Sequence, residues 1–240
     1  MRNVLVTGAN KGIGFEVAKQ LAEKGYFVFV GCRNESNGND AIRKLHELGL
    51  SHCEFLKIDV SDAQSVKQAA ETVASRTEAL DVLINNAGIA GSQPQTVATC
   101  DITMMKEVFD TNYFGAIQTT QAFLPLLKKS AQPVIVNVSS EIGSLAMQTS
   151  AGRSPNWNLY HTYGATKTAL NTFTILLAQE LKDTPIKVNS VTPGYTATDL
   201  NNFAGLKTPA QGARPIVRLA TIGEDGPSGH FFKEEGEISW

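Results

Sequence analysis

A chain of 240 residues with 42% hydrophobic content can bury a sizeable core and fits one large α/β domain or two small ones. A formal net charge of -2, with no run of Lys and Arg, provides no basic field for nucleic acid and favours a diffusible small molecule as partner. Cys32, Cys53 and Cys100 are odd in number, far apart and without a C-x-x-C pair, which argues against a disulfide framework and against a metal site, and suits a reducing, cytoplasmic setting.

The chain opens on an apolar run, "NVLVTG", followed by an amphipathic stretch of helical length, "GFEVAKQLAEKG". The same alternation recurs in "FVFVGC" then "GNDAIRKLHELG", and in "CEFLKID" then "SDAQSVKQAAETVASR". Repeated strand-then-helix units predict a parallel sheet flanked by helices. Ser61 and Gln64 read as a capping box at the start of the third helix. Asp59 stands just before it as a second candidate cap. Then come "DVLINNAG", a long helix around Met104 to Leu127, "PVIVNVSS", a helix carrying Tyr163 and Lys167, and "IKVNSVTPG". The rhythm runs to about Thr192 without a linker, so the expectation is one Rossmann-type doubly wound domain over 1–240. Tyr195 to Arg214 is the least regular stretch and reads as a flap, with a last strand near Phe231 and Phe232. No signal-like start and no run of about 18 apolar residues is present, so no membrane association is expected.

Three local patterns carry chemistry. "TGANKGIG", residues 7 to 14, follows the first strand and opens the first helix. Glycines there let the backbone approach a pyrophosphate, and the helix N-terminus offers unpaired N–H groups. The spacing of Gly8, Gly12 and Gly14 differs from G-x-G-x-x-G. At the end of the second strand, where an acid would accept from a ribose 2′-OH, the chain has Cys32 and then Arg33. A guanidinium there, with Lys11 in the glycine turn, suits the 2′-phosphate of NADP. Finally, Tyr163 and Lys167 are four apart and share one helix face.

In this order the residues resemble the short-chain dehydrogenase/reductase family, through Thr7 to Gly14, Asn85 to Gly88, Asn112, Ser140, Tyr163 with Lys167, and "PGYTATD" at 193 to 199. Within the family the chain is similar to NADPH-dependent carbonyl reductases, through its glycine turn, Arg33 and a tail of the form "GPSGHFF". The resemblance implies reduction of a ketone or aldehyde, with Tyr163 as general acid and Lys167 lowering the phenol's pKa while binding the nicotinamide ribose. It further implies that Ser140 holds the substrate oxygen and that Asn112 orders a proton-relaying water. Cofactor contacts implied in the same way are Gly8, Asn10, Lys11, Gly12, Ile13, Gly14, Arg33, Asp59, Val60, Asn86, Gly88, Tyr163, Lys167, Pro193, Gly194, Thr196 and Thr198.

Twenty-two residues separate Ser140 from Tyr163, a link longer than is usual in the family, expected to form an exposed loop over the site mouth and to favour a monomer. A non-catalytic NADP-binding regulator on the same fold is the competing reading. The intact set of Asn112, Ser140, Tyr163 and Lys167 favours catalysis, because a sensor needs only the cofactor contacts. An epimerase or dehydratase would need a larger substrate domain than this tail offers.

Overall fold

The computed structural model describes residues 1–240. Seven strands run parallel in the order β3 (Cys53–Lys57), β2 (Phe27–Cys32), β1 (Asn3–Thr7), β4 (Val82–Asn85), β5 (Val134–Val138), β6 (Lys187–Val191) and β7 (Phe231–Lys233), and the two-residue β8 (Gly236–Glu237) closes the edge antiparallel to β7. The order reverses between β1 and β4, the switch point at whose carboxyl ends open α/β sheets place their ligands.

Both faces of the sheet are covered, and the strand sequences show why. Side chains alternate along a strand. Val4, Val6, Val28, Val30, Val82, Ile84, Val134 and Val136 point into one apolar layer, and Leu5, Phe29, Leu83 and Ile135 into the other. The first layer is completed by α1 (Gly12–Glu23), α2 (Glu35–Glu47) and α8 (Pro209–Ala220), through residues such as Leu21, Leu45 and Ile216. The second is completed by α3 (Ala63–Arg76), α5 (Gly115–Leu127) and α7 (His161–Glu180), through Val73, Phe123 and Leu177. Continuous apolar strands are what burial on both faces demands.

The predicted long helix is present as α4 (Ile102–Phe109) running into α5 through a π turn at Asp110–Phe114, and Asn112 lies in that turn. Four local expectations need correction. Asp62, rather than Ser61, caps α3, its carboxylate accepting from the N–H groups of Gln64 and Ser65. Asp59 does not cap it either, since its carboxylate is taken by the Ser61 backbone N–H and hydroxyl at 3.0 and 2.7 Å. The flap ends earlier than expected, because Thr208 and Gln211 form a capping box that starts α8 at Pro209. The segment between Ser140 and Tyr163 is likewise not all loop: it folds as a 3₁₀ turn at Glu141–Gly143, the short α6 (Leu145–Gln148) and a second 3₁₀ turn at Pro155–Leu159.

Candidate active site

The glycine turn is built for close approach by a ligand. Gly8 has φ +64°, and a Cβ on Gly14 would stand 2.4 Å from the Gly8 carbonyl oxygen, so the turn closes tightly only without side chains there. No side chain caps α1, which leaves its first N–H groups directed at the space above β1. Asn86 locks the neighbouring strand end to this turn, its Nδ2 donating to the carbonyls of Thr7 (2.9 Å) and Gly8 (3.2 Å). Arg33, just past β2, is exposed and makes neither a hydrogen bond nor an ion pair. Lys11 differs: its ammonium pairs with Asp199 at 3.3 Å. Thr198, beside Asp199, would lie 3.5 Å from a Cβ on Gly12, so the segment after β6 reaches across to the glycine turn. A glycine cradle, an uncapped helix start and a free guanidinium fit a dinucleotide carrying a 2′-phosphate.

Tyr163 and Lys167 both stand on the first half of α7, with Lys167 Nζ 5.6 Å from the centroid of the Tyr163 ring. The ammonium is buried and donates to the Val138 carbonyl at 2.8 Å, which ties it to the end of β5. Gly88, after β4, brings its backbone close enough that a Cβ there would sit 3.6 Å from Lys167 Nζ. Ser139 and Ser140 follow β5 but do different things. Ser139 is buried, its hydroxyl donating to the Lys167 carbonyl at 3.4 Å, whereas the Ser140 hydroxyl accepts from the Ile142 N–H at 3.4 Å and is near enough to the Tyr163 phenol to lower its pKa.

Protonation runs against the simplest expectation. Burial pushes the Tyr163 phenol up to about 12, with Ser140 drawing it partly back and Tyr160 adding to the rise. Burial also pushes the Lys167 ammonium down to about 8. Lys167 is not among the causes of the phenol's shift, and its ammonium is directed at the Val138 carbonyl. At neutral pH the phenol holds its proton, which is the state a proton donor needs.

Asn112 is fully enclosed, with its amide bonded to protein. Oδ1 accepts from the Ile89 N–H at 2.8 Å, and Nδ2 donates to the Ile89 carbonyl (2.9 Å) and the Thr166 hydroxyl (3.1 Å). It thus pins the loop after β4 to α7. His161 has its Nδ1 buried without a partner, and Trp157 and Met147 are half-buried in the 141–160 segment.

Several supporting residues carried no motif. Asn85, Asn137 and Ser190 lie in register on β4, β5 and β6. The Asn85 amide donates to Asn137 Oδ1 (2.8 Å), the Asn137 amide to Thr174 Oγ1 (2.9 Å), and Thr174 shares a bond with Ser190 (2.8 Å). The signal was visible as a polar residue within each otherwise apolar strand, in "LIN", "VIVN" and "VNS". Gln95, buried in the loop after β4, had no such signal.

Comparison with known proteins agrees with this geometry. The family model for short chain dehydrogenases matches residues 2–208. The chain is 32% identical to (+)-neomenthol dehydrogenase of Capsicum annuum, covering 96% of this chain and 95% of that protein, and 30% identical to salutaridine reductase of Papaver bracteatum, covering 97% and 94%. The first of these alignments runs over 302 positions, more than the chain's own length, so that relative carries insertions this chain lacks. Among solved structures, the NADPH-bound carbonyl reductase from chicken fatty liver superposes with a TM-score of 0.85 at 31% identity, over 100% of this chain and 99% of that one.

Proposed function

The chain belongs to the short-chain dehydrogenase/reductase family, and we propose that it reduces a ketone or aldehyde to an alcohol with NADPH as hydride source. The observation that carries this reading is the grouping of Ser140, Tyr163 and Lys167 at the end of β5, beside the glycine cradle at the switch point. The glycine turn from Gly8 to Gly14 would hold the pyrophosphate, Arg33 the 2′-phosphate, and Lys167 the nicotinamide ribose. When bound, NADPH supplies the hydride that ends on the carbonyl carbon. Ser140 donates to the carbonyl oxygen and orients it toward Tyr163 Oη. The phenol then gives that oxygen its proton, so the carbonyl carbon gains hydride and the oxygen gains hydrogen. Lys167, charged below about pH 8, stabilises the phenolate left behind until solvent restores the proton.

The segments bordering these residues point to uncharged, apolar substrates. Val97, Leu145, Leu159, Tyr195, Phe203 and Leu206 are exposed on the segments that flank these residues along the chain. The charges on the 193–207 flap are already paired, Asp199 with Lys11 and Lys207 with Glu234. Exposed apolar side chains with few free charges beside them suit an apolar ligand. The packing of residues 141–148 on α7 supports a monomer, which light scattering in dilute solution tests. Following NADPH absorbance against a panel of apolar ketones, aldehydes, quinones and carboxylate-bearing ketones tests the reaction itself. Turnover of apolar carbonyls with little of the charged ones is expected. Binding of NADPH without turnover of any member would leave a nucleotide sensor instead.

A further inference from the structure

Gln95 is completely enclosed, yet no part of the chemistry above uses it. Its Nε2 donates to the carbonyls of Ala90 and Ser92, the second at 3.2 Å, and its Oε1 accepts from the backbone N–H of Tyr163 at 3.1 Å. The Gln95 backbone N–H donates to the Leu159 carbonyl at 3.1 Å, in a parallel bridge opposite Tyr160. A single side chain therefore ties the loop after β4 to the first turn of α7.

The bond to Tyr163 falls where the helix needs one. The first N–H groups of a helix have no intrahelical acceptor, and Tyr160, at the N-cap of α7, offers no side-chain bond. Gln95 supplies the missing acceptor at the residue that carries the phenol. It does so beside Asn112, which holds Ile89 by both backbone groups and reaches Thr166, whose hydroxyl donates to the Tyr163 carbonyl at 2.7 Å. Tyr163 is thus gripped at its N–H by one buried amide and, through Thr166, at its carbonyl by the other. Lys167 has its own anchor on Val138, so loosening the first turn would displace the phenol and leave the ammonium in place.

We propose that Gln95 is a positioning residue, which fixes the Tyr163 phenol relative to the loop at Gly88–Ser92 by acting as the N-terminal cap of the catalytic helix. The proposal rests on the reading of Tyr163 as the acid, and its test therefore includes a measurement that needs no turnover. Gln95→Met keeps the length of the side chain and removes its amide. In the nucleotide-free protein, hydrogen exchange should rise at least about tenfold for residues 160–166 while the strand peptides of β1 and β5 stay as in wild type. In turnover, kcat should fall by roughly 10- to 100-fold, the cost of a phenol misplaced by about an ångström. NADPH affinity by fluorescence should stay within about threefold, and the isotope effect with 4-deuterated NADPH should grow as the chemical step becomes limiting.

A kcat that falls only in proportion to the folded fraction, with an unchanged isotope effect, would reduce Gln95 to fold glue. So would unaltered exchange at 160–166. Should the methionine variant fail to fold, Gln95→Glu keeps an acceptor for Tyr163 but loses the donors to Ala90 and Ser92. Extra exchange is then expected at residues 88–92 and not at 160–166, and the opposite pattern overturns the proposal. If wild type itself turns over no carbonyl, the acid reading falls while the exchange measurements still decide the cap.

Discussion

The two ends of the sheet bury very different things. Up to Ile84 the only buried polar residue is Thr7, and the layers around β1, β2 and β3 are otherwise apolar. From Asn85 onward buried polar side chains are frequent: Asn112, Asn137, Lys167, Asn171, Thr174, Asn189 and Ser190 are among them, with Gln95 in the connecting loop. In the proposed reaction the first region would contribute backbone to the cofactor, through glycines and a helix start, and its side chains need only fill space. The second would have to hold a phenol, a hydroxyl and an ammonium in fixed relation, and below the surface it has bonded amides and hydroxyls with which to do so. Unpaired, these would each cost the full desolvation of the group, so a pairing pattern specifies one arrangement more sharply than apolar packing does.

The comparison can be broken most directly at the phenol. Tyr163→Phe should lower kcat by about 10²- to 10⁴-fold with NADPH affinity retained, since only the proton donor is removed. A variant with near wild-type kcat would deny the catalytic end its acid. In the other region, Arg33→Ala should cut the preference for NADPH over NADH by roughly 10- to 100-fold in kcat/KM, the value of a charge-assisted contact. Adding Cys32→Asp should push it further toward NADH, because an acid there repels the phosphate. Steady-state kinetics with both cofactors read the ratio, and an unmoved ratio would make Arg33 a loop charge. The expectation that Lys11 shares this role is weakened by its pairing with Asp199.

The polar ladder sharpens the contrast through stability. Asn137→Leu should destabilise the fold by about 1–3 kcal/mol in denaturant titration, because an Asn85 N–H is stranded. Adding Asn85→Val should recover part of the loss, and a purely additive double variant would count against a coupled ladder. For Lys167, burial lowers the folded pKa to about 8 against an ordinary 10.5. The charged form is therefore penalised by folding below about pH 8, and this penalty is relieved as pH rises toward 10.5. If the proposed ribose contact needs the ammonium, NADPH affinity should weaken by up to about 30-fold between pH 7 and 9.5, and Lys167→Arg should flatten that profile in fluorescence titration. The smallest effect belongs to the exposed Lys11–Asp199 pair: Lys11→Ala should shift stability by less than about 1 kcal/mol, read by thermal melts.

The same contrast explains what could be read from residues alone. Strand runs such as "FVFVGC" and the glycine turn are local, so the parallel sheet and its flanking helices were legible at once. Tyr163 and Lys167 were legible because a helix fixes their spacing. Boundaries were missed where one of two neighbouring polar residues had to win, as Asp62 did over Ser61 and Asp59. Proximity suggests that Lys167 lowers the Tyr163 pKa, whereas burial, which raises it, depends on the whole fold and leaves no local mark in the sequence. Gln95 was invisible because its partners lie 3 to 68 residues away, and nothing in a Pro-Gln-Thr loop marks an amide that will be enclosed.

The π turn at Asp110–Phe114 is a place where the chain carries one residue that the helix axis does not need. A wider turn of this kind holds one residue more than an α-helix would use to cover the same rise. Excising a residue there, for example Asp110, would let α4 and α5 merge into regular helix with both flanks keeping their faces, so that Phe123 and Leu127 could stay in the core. The loss would be local, in the backbone that carries Asn112 and sets its amide against Ile89. The extra residue is what lets a helix anchored in the apolar layer aim an amide at the catalytic one.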